Sequence, residues 1–469
     1  MDILLTHGYF IAEDEHEKRI MKPYPPLGIL ALSAYLKSRG YNVAVYDTTF
    51  STKEKFYAYL NQARPRIVGI YTNMMTKFNV LDMIAACKKI GVHVILGGPE
   101  PPYYAREYIE SGADVIVVGE GELTLDELIP ALTNNGAHNL QHIAGIHYRD
   151  ENGNIAQTMP RPYIKDLDTL PYPDRAAIDA QKYVDTWRLY HGRGSLSLIS
   201  VRGCPFHCTW CSHSVYGETY RRRSPAKFAE ETRQIIETYK PDQLWYADDV
   251  FTIHHGWFFN YAKELKHRGV KIPFECISRA DRMNEQVFDT LKEMGCYRLW
   301  IGSESGSQKI LDAMRRDVQV ERVQWATHEL QKRGIEVGMF IMLGFDGEEE
   351  NDIRATAEHL KISNPDIFLT TVAYPIKGTG YYKQVEEKII ARQDWQHRTD
   401  RNLTVAGRHS KKYYDYAQQW LWGEFIFNQQ RKNGNHPARV FHLVKQAKAA
   451  ANIGIGKLGM ALTANEIEA

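Results

Sequence analysis

The sequence lacks any long hydrophobic run, because no stretch of about 18 consecutive apolar residues occurs among its 469 residues. This absence excludes a conventional transmembrane helix. The first residues, MDILLTHGYF, have the pattern of a strand without the basic lead-in of a targeting segment, so we expect a cytoplasmic protein. Net charge is also nearly absent, since 58 Lys and Arg residues balance 57 Asp and Glu residues. Bulk charge therefore does not indicate a nucleic-acid partner.

Cysteine is scarce, and six residues are too few for a disulfide scaffold in a chain of this length. Three of them, Cys204, Cys208 and Cys211, lie close together, which indicates a metal site. The other three lie singly in helix-like or strand-like segments, where we expect them to be small buried apolar side chains: Cys87, Cys276 and Cys296.

Short apolar runs alternate with helical patterns over residues 1–133, which we interpret as one domain. Such β–α units predict a doubly wound parallel sheet that binds its ligand beyond the carboxyl ends of the strands. The predicted strands are Ile3–Leu5, Asn42–Tyr46, Ile67–Tyr71, Val92–Leu96 and Val115–Val118, and the predicted helices are Leu27–Ser38, Phe56–Ala63, Val80–Lys89 and Tyr104–Glu110.

A linker is predicted over residues 134–194, with a β-hairpin that turns at Asn152-Gly153. A second β–α series over residues 195–380 suits a partial (β/α)6 barrel, whose chemistry lies at the carboxyl ends of its strands. Its predicted strands are Leu196–Val201, Gln243–Ala247, Pro273–Ser278, Arg298–Gly302, Gly338–Leu343 and Ile367–Tyr374. Residues 381–469 are expected to be helical.

The motif with the clearest chemistry is Cys204-Pro-Phe-His-Cys208-Thr-Trp-Cys211, directly after the first barrel strand. Three thiolates on one loop can bind three irons of a 4Fe–4S cubane and leave the fourth iron open to a chelating small molecule. The alternative is a structural zinc site of Cys3His type, with His207 or His213 as the fourth ligand. A zinc site at the top of the first strand of a barrel is the less expected of the two.

This Cys-x3-Cys-x2-Cys spacing, with an aromatic residue before the last cysteine, resembles the radical S-adenosylmethionine superfamily. The resemblance implies a 4Fe–4S cluster that cleaves S-adenosylmethionine to a 5′-deoxyadenosyl radical, and an electron donor such as flavodoxin or ferredoxin. Asp346 stands in the glycine-rich turn after the fifth strand where a proline is more usual. The positions that match the superfamily's S-adenosylmethionine site are Trp210, Asp248, Asp249, Ser278, Arg279, Glu304 and Gly344.

The N-terminal domain resembles the cobalamin-binding domain of cobalamin-dependent radical enzymes, in PYPPLGILALSAYL and in two glycine-rich turns. The motif whose histidine ligates cobalt in cobalamin methyltransferases is missing, and only His7 follows the first strand. Glu100 also replaces a histidine that is common after the double glycine. A degenerate domain that only supports the barrel is the alternative. The resemblance implies that cobalamin is bound by Thr72, Met74, Gly97, Gly98, Gly119, Glu120 and Gly121.

The leading hypothesis is therefore a cobalamin-dependent radical enzyme that methylates an unactivated carbon of a small-molecule or peptide substrate. A cyclisation, ring contraction or other rearrangement by the same family is the second hypothesis, and a zinc-stabilised binding protein without chemistry is the third. The basic run Arg221–Arg223 indicates either an anion site or a solvated surface. The aromatic tail between Tyr413 and Phe427 indicates core packing, substrate contact or a partner surface, and Ala447–Ala461 is too weakly amphipathic to predict a membrane helix.

Overall fold

The computed structural model describes residues 1–135, 139–432 and 439–469. The N-terminal part begins with five parallel strands, which pair in the order β2-β1-β3-β4-β5. These strands are β1 (Ile3–His7), β2 (Val43–Tyr46), β3 (Ile67–Tyr71), β4 (His93–Gly97) and β5 (Val115–Val117). The helices around them are α1 (Glu15–Ile20), α2 (Leu27–Ser38), α3 (Lys53–Ala63), α4 (Lys77–Lys89), α5 (Ala105–Glu110) and α6 (Glu122–Asn135).

The hairpin that we expected inside a linker instead completes this first sheet. Its strands β6 (Ile146–Arg149) and β7 (Ile155–Gln157) turn at residues 150–154, and β6 pairs antiparallel with β5. The pairing covers the edge of β5, which a sheet ending at residue 133 would leave open. Apolar clusters lie on both faces of the sheet, as a doubly wound fold requires.

A bridging helix, α7 (Ala180–His191), connects the two halves of the molecule. Its Tyr183 lies in the apolar core of the C-terminal half, while the Tyr183 hydroxyl donates to Asp47 Oδ2 at 2.7 Å. Trp187 Nε1 donates to the carbonyl of Pro23 at 2.7 Å. One helix therefore packs against both halves.

The second sheet has six parallel strands in chain order, which is the open (β/α)6 barrel that the sequence predicts. The strands are β8 (Ser195–Leu198), β11 (Gln243–Tyr246), β12 (Phe274–Ser278), β13 (Cys296–Glu304), β14 (Glu336–Leu343) and β15 (Ile367–Val372), with the short pair β9 (Val201–Arg202) and β10 (Arg221–Arg222) beside the first. The helices are α8 (Pro225–Tyr239), α9 (His255–His267), α10 (Glu285–Met294), α11 (Gln308–Ala313), α12 (Val320–Lys332) and α13 (Glu350–Ser363).

The C-terminal region closes the barrel with two long packed helices. Its elements are α14 (Gly380–Val385), β16 (Ile389–Ile390), β17 (Thr404–Val405), α15 (Lys411–Lys432) and α16 (Arg439–Thr463). Tyr413, Tyr414 and Trp420 are buried in the barrel core, so this part of the aromatic tail is core packing. No helix among the described residues has both the length and the apolar character needed to cross a bilayer.

Candidate active site between the two domains

The cysteine loop leaves β9 through Gly203, whose φ of 89° favours glycine. A Cβ at this position would lie 2.5 Å from the carbonyl oxygen of Thr219. Two backbone hydrogen bonds fix the loop on the barrel, from Thr209 N to Met314 O at 3.1 Å and from Tyr381 N to Thr209 O at 2.7 Å. The loop therefore holds its thiols in a fixed position without belonging to a helix or strand.

The three thiols differ in their surroundings. A hydrogen bond with Cys211 lowers the pKa of Cys208 to about 6, and the positive charges of Arg316 and Arg279 act in the same direction. Arg279 Nη1 lies 3.8 Å from Cys208 Sγ. Burial raises the pKa of Cys204. The protein thus favours a thiolate at Cys208, which is the form that binds iron.

The geometry fits a cluster better than a single zinc ion. Among the described residues, no three His, Cys, Asp or Glu side chains converge on one metal-ion position. His207 Nδ1 lies 2.7 Å from Glu218 Oε2, and His213 Nδ1 lies 3.7 Å from Glu218 Oε1. Both histidines therefore face a carboxylate, whereas one loop presents three thiols, the donor set of a cubane with one open iron.

The two adjacent aspartates after β11 have different environments. Asp248 is fully buried, and its carboxylate accepts hydrogen bonds from the backbone and hydroxyl of Ser200 and from Arg222. Asp248 thus connects the segment that follows the first barrel strand to β10. Asp249 instead is exposed and lines a cavity together with Cys204, so of the two carboxylates it is the one open to a ligand.

The ends of β12 and β13 provide further groups beside the thiols. The Ser278 hydroxyl hydrogen-bonds Thr252 at 2.6 Å, and Arg279 stacks on the ring of Phe206 at 3.7 Å. Glu304 is buried with a φ of 61°, which is strained for a residue other than glycine. Burial raises the pKa of Glu304 to about 7. Backbone strain of this kind is typical of functional sites.

Arg316 is a site residue that the sequence does not reveal. Its Nε lies 3.9 Å from Glu304 Oε1, and its guanidinium also donates to the carbonyl of Gly302 at 2.7 Å. Only its position in the folded barrel, after α11, brings it beside Glu304 and Cys208.

The glycine-rich turn after β14 is held by its own carboxylate. Gly344 has a φ of 70°, and its N–H donates to Glu348 Oε2 at 2.5 Å. Asp346, in the unusual position, pairs with Lys388 at 3.3 Å. Trp210 packs against the apolar cluster that contains Phe345 of the same turn. The turn and the cysteine loop are therefore neighbours, as the resemblance implies.

A cavity lies at the carboxyl ends of the first sheet. Five of the seven cobalamin-binding residues implied by the resemblance line it: Gly97, Gly98, Gly119, Glu120 and Gly121. A Cβ at Gly97 would meet nothing within 4 Å, so its face is open to the cavity. Thr72 and Met74 do not line it. The backbone of Thr72 instead packs against Gly98, where a Cβ would lie 2.2 Å from the Thr72 carbonyl oxygen.

The carboxylate of Glu120 joins the two domains. It accepts hydrogen bonds from Arg202 Nη1 at 2.7 Å and Arg221 Nη1 at 2.8 Å, and Glu122 pairs with Arg202 at 2.5 Å. The run Arg221–Arg223 is thus largely engaged inside the protein: Arg222 binds Asp248, and Arg223 donates to the carbonyls of residues 170 and 171. The run is therefore neither an open anion site nor a solvated surface, which were the two alternatives that the sequence left open.

His7 is fully hydrogen-bonded. Its Nε2 lies 3.0 Å from Asp47 Oδ1, and its Nδ1 accepts from the N–H of Tyr9 at 3.2 Å. Glu100, which replaces a common histidine, accepts from the Tyr108 hydroxyl at 3.1 Å. His7 therefore has no free ring nitrogen to offer to the cavity, and Glu100 has no side-chain nitrogen.

A second cavity adjoins the first and reaches the cysteine loop. It is lined by Cys204 and Asp249 at one end and by Pro99 at the other. The residues that line both cavities are Gly28, Ile29, Tyr71, Val215 and Tyr216. The first cavity, called the slot, is lined by glycines. Because glycine has no side chain, the backbone can approach a ligand closely there, and the slot therefore fits the nucleotide tail of cobalamin.

Comparisons with known proteins agree with this arrangement. The model of the radical SAM superfamily matches residues 198–360, and the model of the B12 binding domain matches residues 19–129. The chain is 29% identical to an uncharacterized methyltransferase of Pyrococcus horikoshii over 399 residues, covering 82% of this chain and 84% of the relative. It is 22% identical to the anaerobic magnesium-protoporphyrin IX monomethyl ester cyclase of Rubrivivax gelatinosus over 376 residues, covering 78% and 67%.

A solved structure of the cobalamin-dependent S-adenosylmethionine radical enzyme OxsB with aqua-cobalamin has the same fold. The TM-score is 0.74 at 17% identity, over 97% of this chain and 72% of that chain. A radical SAM domain implies a 4Fe–4S cluster and S-adenosylmethionine, and a B12-binding domain implies cobalamin. The chain is thus a radical SAM enzyme with an N-terminal B12-binding domain.

Proposed function

We propose that this enzyme transfers a methyl group to an unactivated carbon of its substrate. The observation that carries the proposal is that the two cavities adjoin, because Tyr71, Val215 and Tyr216 line both of them. A substrate bound where the cavities adjoin would lie between the glycine-lined slot and the cysteine loop. The name of the Pyrococcus horikoshii relative also supports methyl transfer.

In this proposal Cys204, Cys208 and Cys211 hold the 4Fe–4S cluster through three of its irons. Arg279 and Arg316 lie beside Cys208 and provide the positive charge that favours its thiolate. Their charge also suits the carboxylate of S-adenosylmethionine, and the exposed Asp249 suits its amino group. Trp210 and the turn at Gly344 form the adjoining wall.

The remaining residues bind cobalamin and shield the reacting groups from water. Gly97, Gly98, Gly119 and Gly121 form the floor that admits the cobalamin tail. When they are bound, the cluster with S-adenosylmethionine supplies a hydrogen-abstracting radical, and cobalamin supplies the methyl group. Such chemistry is needed because an unactivated C–H bond resists any base, and proteins shift a pKa by only about 2–5 units. The apolar walls at Ile29 and Val215 keep water from the space between them.

The test is isotopic. The reconstituted, anoxic enzyme is incubated with a metabolite extract of its source cells, a chemical reductant and S-adenosylmethionine that carries a CD3 group. A product that gains CD3, with near-equal amounts of 5′-deoxyadenosine and S-adenosylhomocysteine, supports the proposal. The matched control is the triple variant C204A/C208A/C211A, which should form neither 5′-deoxyadenosine nor the labelled product.

A rearrangement or cyclisation is the second candidate, and the resemblance to the Rubrivivax gelatinosus cyclase favours it. It requires the same cluster and the same two cavities. Substrate-dependent 5′-deoxyadenosine without S-adenosylhomocysteine and without a CD3-bearing product would support this candidate and contradict methyl transfer.

A further inference from the structure

The C-terminal helix α16 packs on the protein through several small residues and presents a row of large apolar residues to the solvent. Its inner face packs on α15 through Ala449, Gly456 and Gly459, which are buried. The contact is close, since a Cβ at Gly456 would lie 2.7 Å from the backbone nitrogen of Trp420. One at Gly459 would lie 2.3 Å from the ring of Tyr416. The inner face therefore has no room for side chains at these two glycines, while Met460 of the same face reaches the barrel core.

The outer face of α16 is apolar over most of the described helix. Its large side chains are each half or more exposed, reaching 75% at the last: Leu443, Val444, Ile455, Leu458 and Leu462. With 3.6 residues per turn they fall within about 120° of the helix circumference. Ala447, Ala451 and Gly454 lie between them and are exposed as well.

This arrangement is the reverse of that of an ordinary surface helix, which turns its large apolar residues inward and its polar residues outward. It also explains the weak amphipathic signal of the sequence, because glycine and alanine occupy the buried positions. A continuous exposed apolar patch of this kind marks an interaction surface.

The charged side chains on α16 itself are all positive. Lys448 and Lys457 lie on the two edges of its outer face, and both are exposed. Lys457 also approaches Glu424 of α15 at 3.6 Å. The sequence of α16 contains no Asp or Glu. The two acidic residues that follow the helix have partners in the protein: Glu466 accepts from the Ser410 hydroxyl at 3.2 Å, and Glu468 pairs with Arg392 at 2.9 Å.

We propose that the outer face of α16 docks on the surface of an anionic lipid bilayer, with the helix lying in the plane of the interface. An apolar face flanked by lysines is the pattern of an interfacial helix, and its lysines reach anionic headgroups while the leucines enter the acyl boundary. This inference does not rest on the proposed function, because α16 contributes no residue to the cavities.

A second copy of the chain fits this face less well. The apolar row from Leu443 to Leu462 is about 30 Å long, so this outer face covers roughly 300 Å², whereas a stable dimer needs about 800 Å² from each partner. Two copies of a helix that carries lysines and no acidic residue would also repel each other.

The test is co-sedimentation of the full-length protein with lipid vesicles. Vesicles of equal parts phosphatidylglycerol and phosphatidylcholine should sediment the protein, and pure phosphatidylcholine should sediment at least tenfold less. Replacing both Leu458 and Leu462 by Asn should weaken binding to the anionic vesicles at least tenfold, and Lys448→Gln should weaken it roughly fivefold.

The matched control replaces two side chains of similar exposure elsewhere, Leu189 and Met159, by Asn and should bind as the parent does. All variants should keep the iron content of the parent, since none lies near the thiols. Equal sedimentation with neutral and anionic vesicles, no sedimentation with either, or loss in the control would overturn the proposal. A dimer in sedimentation velocity that the Leu458 and Leu462 changes dissolve would show that the face binds a second copy instead.

Discussion

At the scale of single residues, substitutions in the cysteine loop distinguish the hypothesis of an iron cluster from that of a zinc site. Each cysteine is expected to hold one iron, so changing Cys204, Cys208 and Cys211 together to Ala should reduce iron from about four per chain to near zero. Iron content and the visible spectrum of the anoxically reconstituted protein measure this. The double variant H207A/H213A should keep its iron, because Glu218 already faces both histidines. Iron loss in that variant would assign a ligand role to a histidine.

His7 provides a second test, which concerns cobalt. Because both of its ring nitrogens have partners within the protein, we expect cobalamin to bind without a nitrogen donor from His7. The electron paramagnetic resonance spectrum of the cobalt(II) form should therefore be the same in the parent and in His7→Ala. The variant should lose stability, by about 1–3 kcal/mol, because buried partners such as Asp47 lose a hydrogen bond. A three-line nitrogen splitting that disappears in the variant would make His7 a ligand.

Two adjacent glycines should respond differently to the same change. Gly98→Ala should destabilise the protein by at least about 2 kcal/mol, because its φ is 117° and its Cβ would collide with Thr72. Gly97→Ala should leave the thermal midpoint of the cobalamin-free protein nearly unchanged, since its Cβ enters empty space, and should weaken cobalamin binding. Thermal unfolding and titration with hydroxocobalamin measure the two effects. Unchanged binding in Gly97→Ala would exclude the slot as the cobalamin site.

At the scale of elements, the contact of α13 with β13 predicts a dependence of stability on pH. His359 of α13 hydrogen-bonds Ser303, the residue before Glu304, at 2.8 Å. Burial lowers its pKa from 6.5 to about 4. Below pH 6.5 the unfolded chain binds a proton at His359 that the folded protein does not, so stability falls as the pH decreases. Between pH 6.5 and pH 4 the loss should be about 3 kcal/mol.

Urea unfolding of the parent and of His359→Gln at several pH values isolates this contribution. The variant should lose less stability than the parent over the same pH interval, because glutamine does not titrate. Equal slopes of stability against pH in the two proteins would contradict the assignment.

The elements also show what sequence can predict. The strands at Ile67–Tyr71 and Gln243–Tyr246 agree closely with prediction because buried parallel strands are continuous apolar runs. The turn of the hairpin can be predicted because it depends on neighbouring residues. The pairing of the hairpin with β5 depends on a distant strand, so the sequence suggested only a linker. Polar partners were also missed: Arg202 and Glu120 are 82 residues apart, and no periodicity connects them. In α16 the pattern was weak because glycines form its buried face.

At the scale of the whole molecule, polar contacts hold the two halves around the cavities. Lys77 is buried and donates to the carbonyl of Arg398 at 2.7 Å, and Tyr104 donates to Asp400 at 2.5 Å. Glu120 forms the corresponding contact on the other side, with Arg202. Removing one partner of the Glu120–Arg202 pair would leave a buried charge uncompensated, and removing either of the other contacts would leave a buried polar group without its hydrogen bond. The halves should therefore unfold together.

This coupling leads to the last prediction, which concerns cobalamin and global stability. The cobalamin slot is lined by the first sheet and, from the barrel side, by Arg202, Val215 and Tyr216. Hydroxocobalamin at about 100 times its Kd should thus stabilise the whole chain by about 2.7 kcal/mol and raise the midpoint of a single thermal transition. Tyr216→Ala should remove much of this shift, although residue 216 lies outside the B12-binding domain. Tyr190→Ala, which removes an exposed tyrosine on α7, should retain it. Two transitions of which only one responds to hydroxocobalamin would show that the halves are independent and that the B12-binding domain alone forms the site.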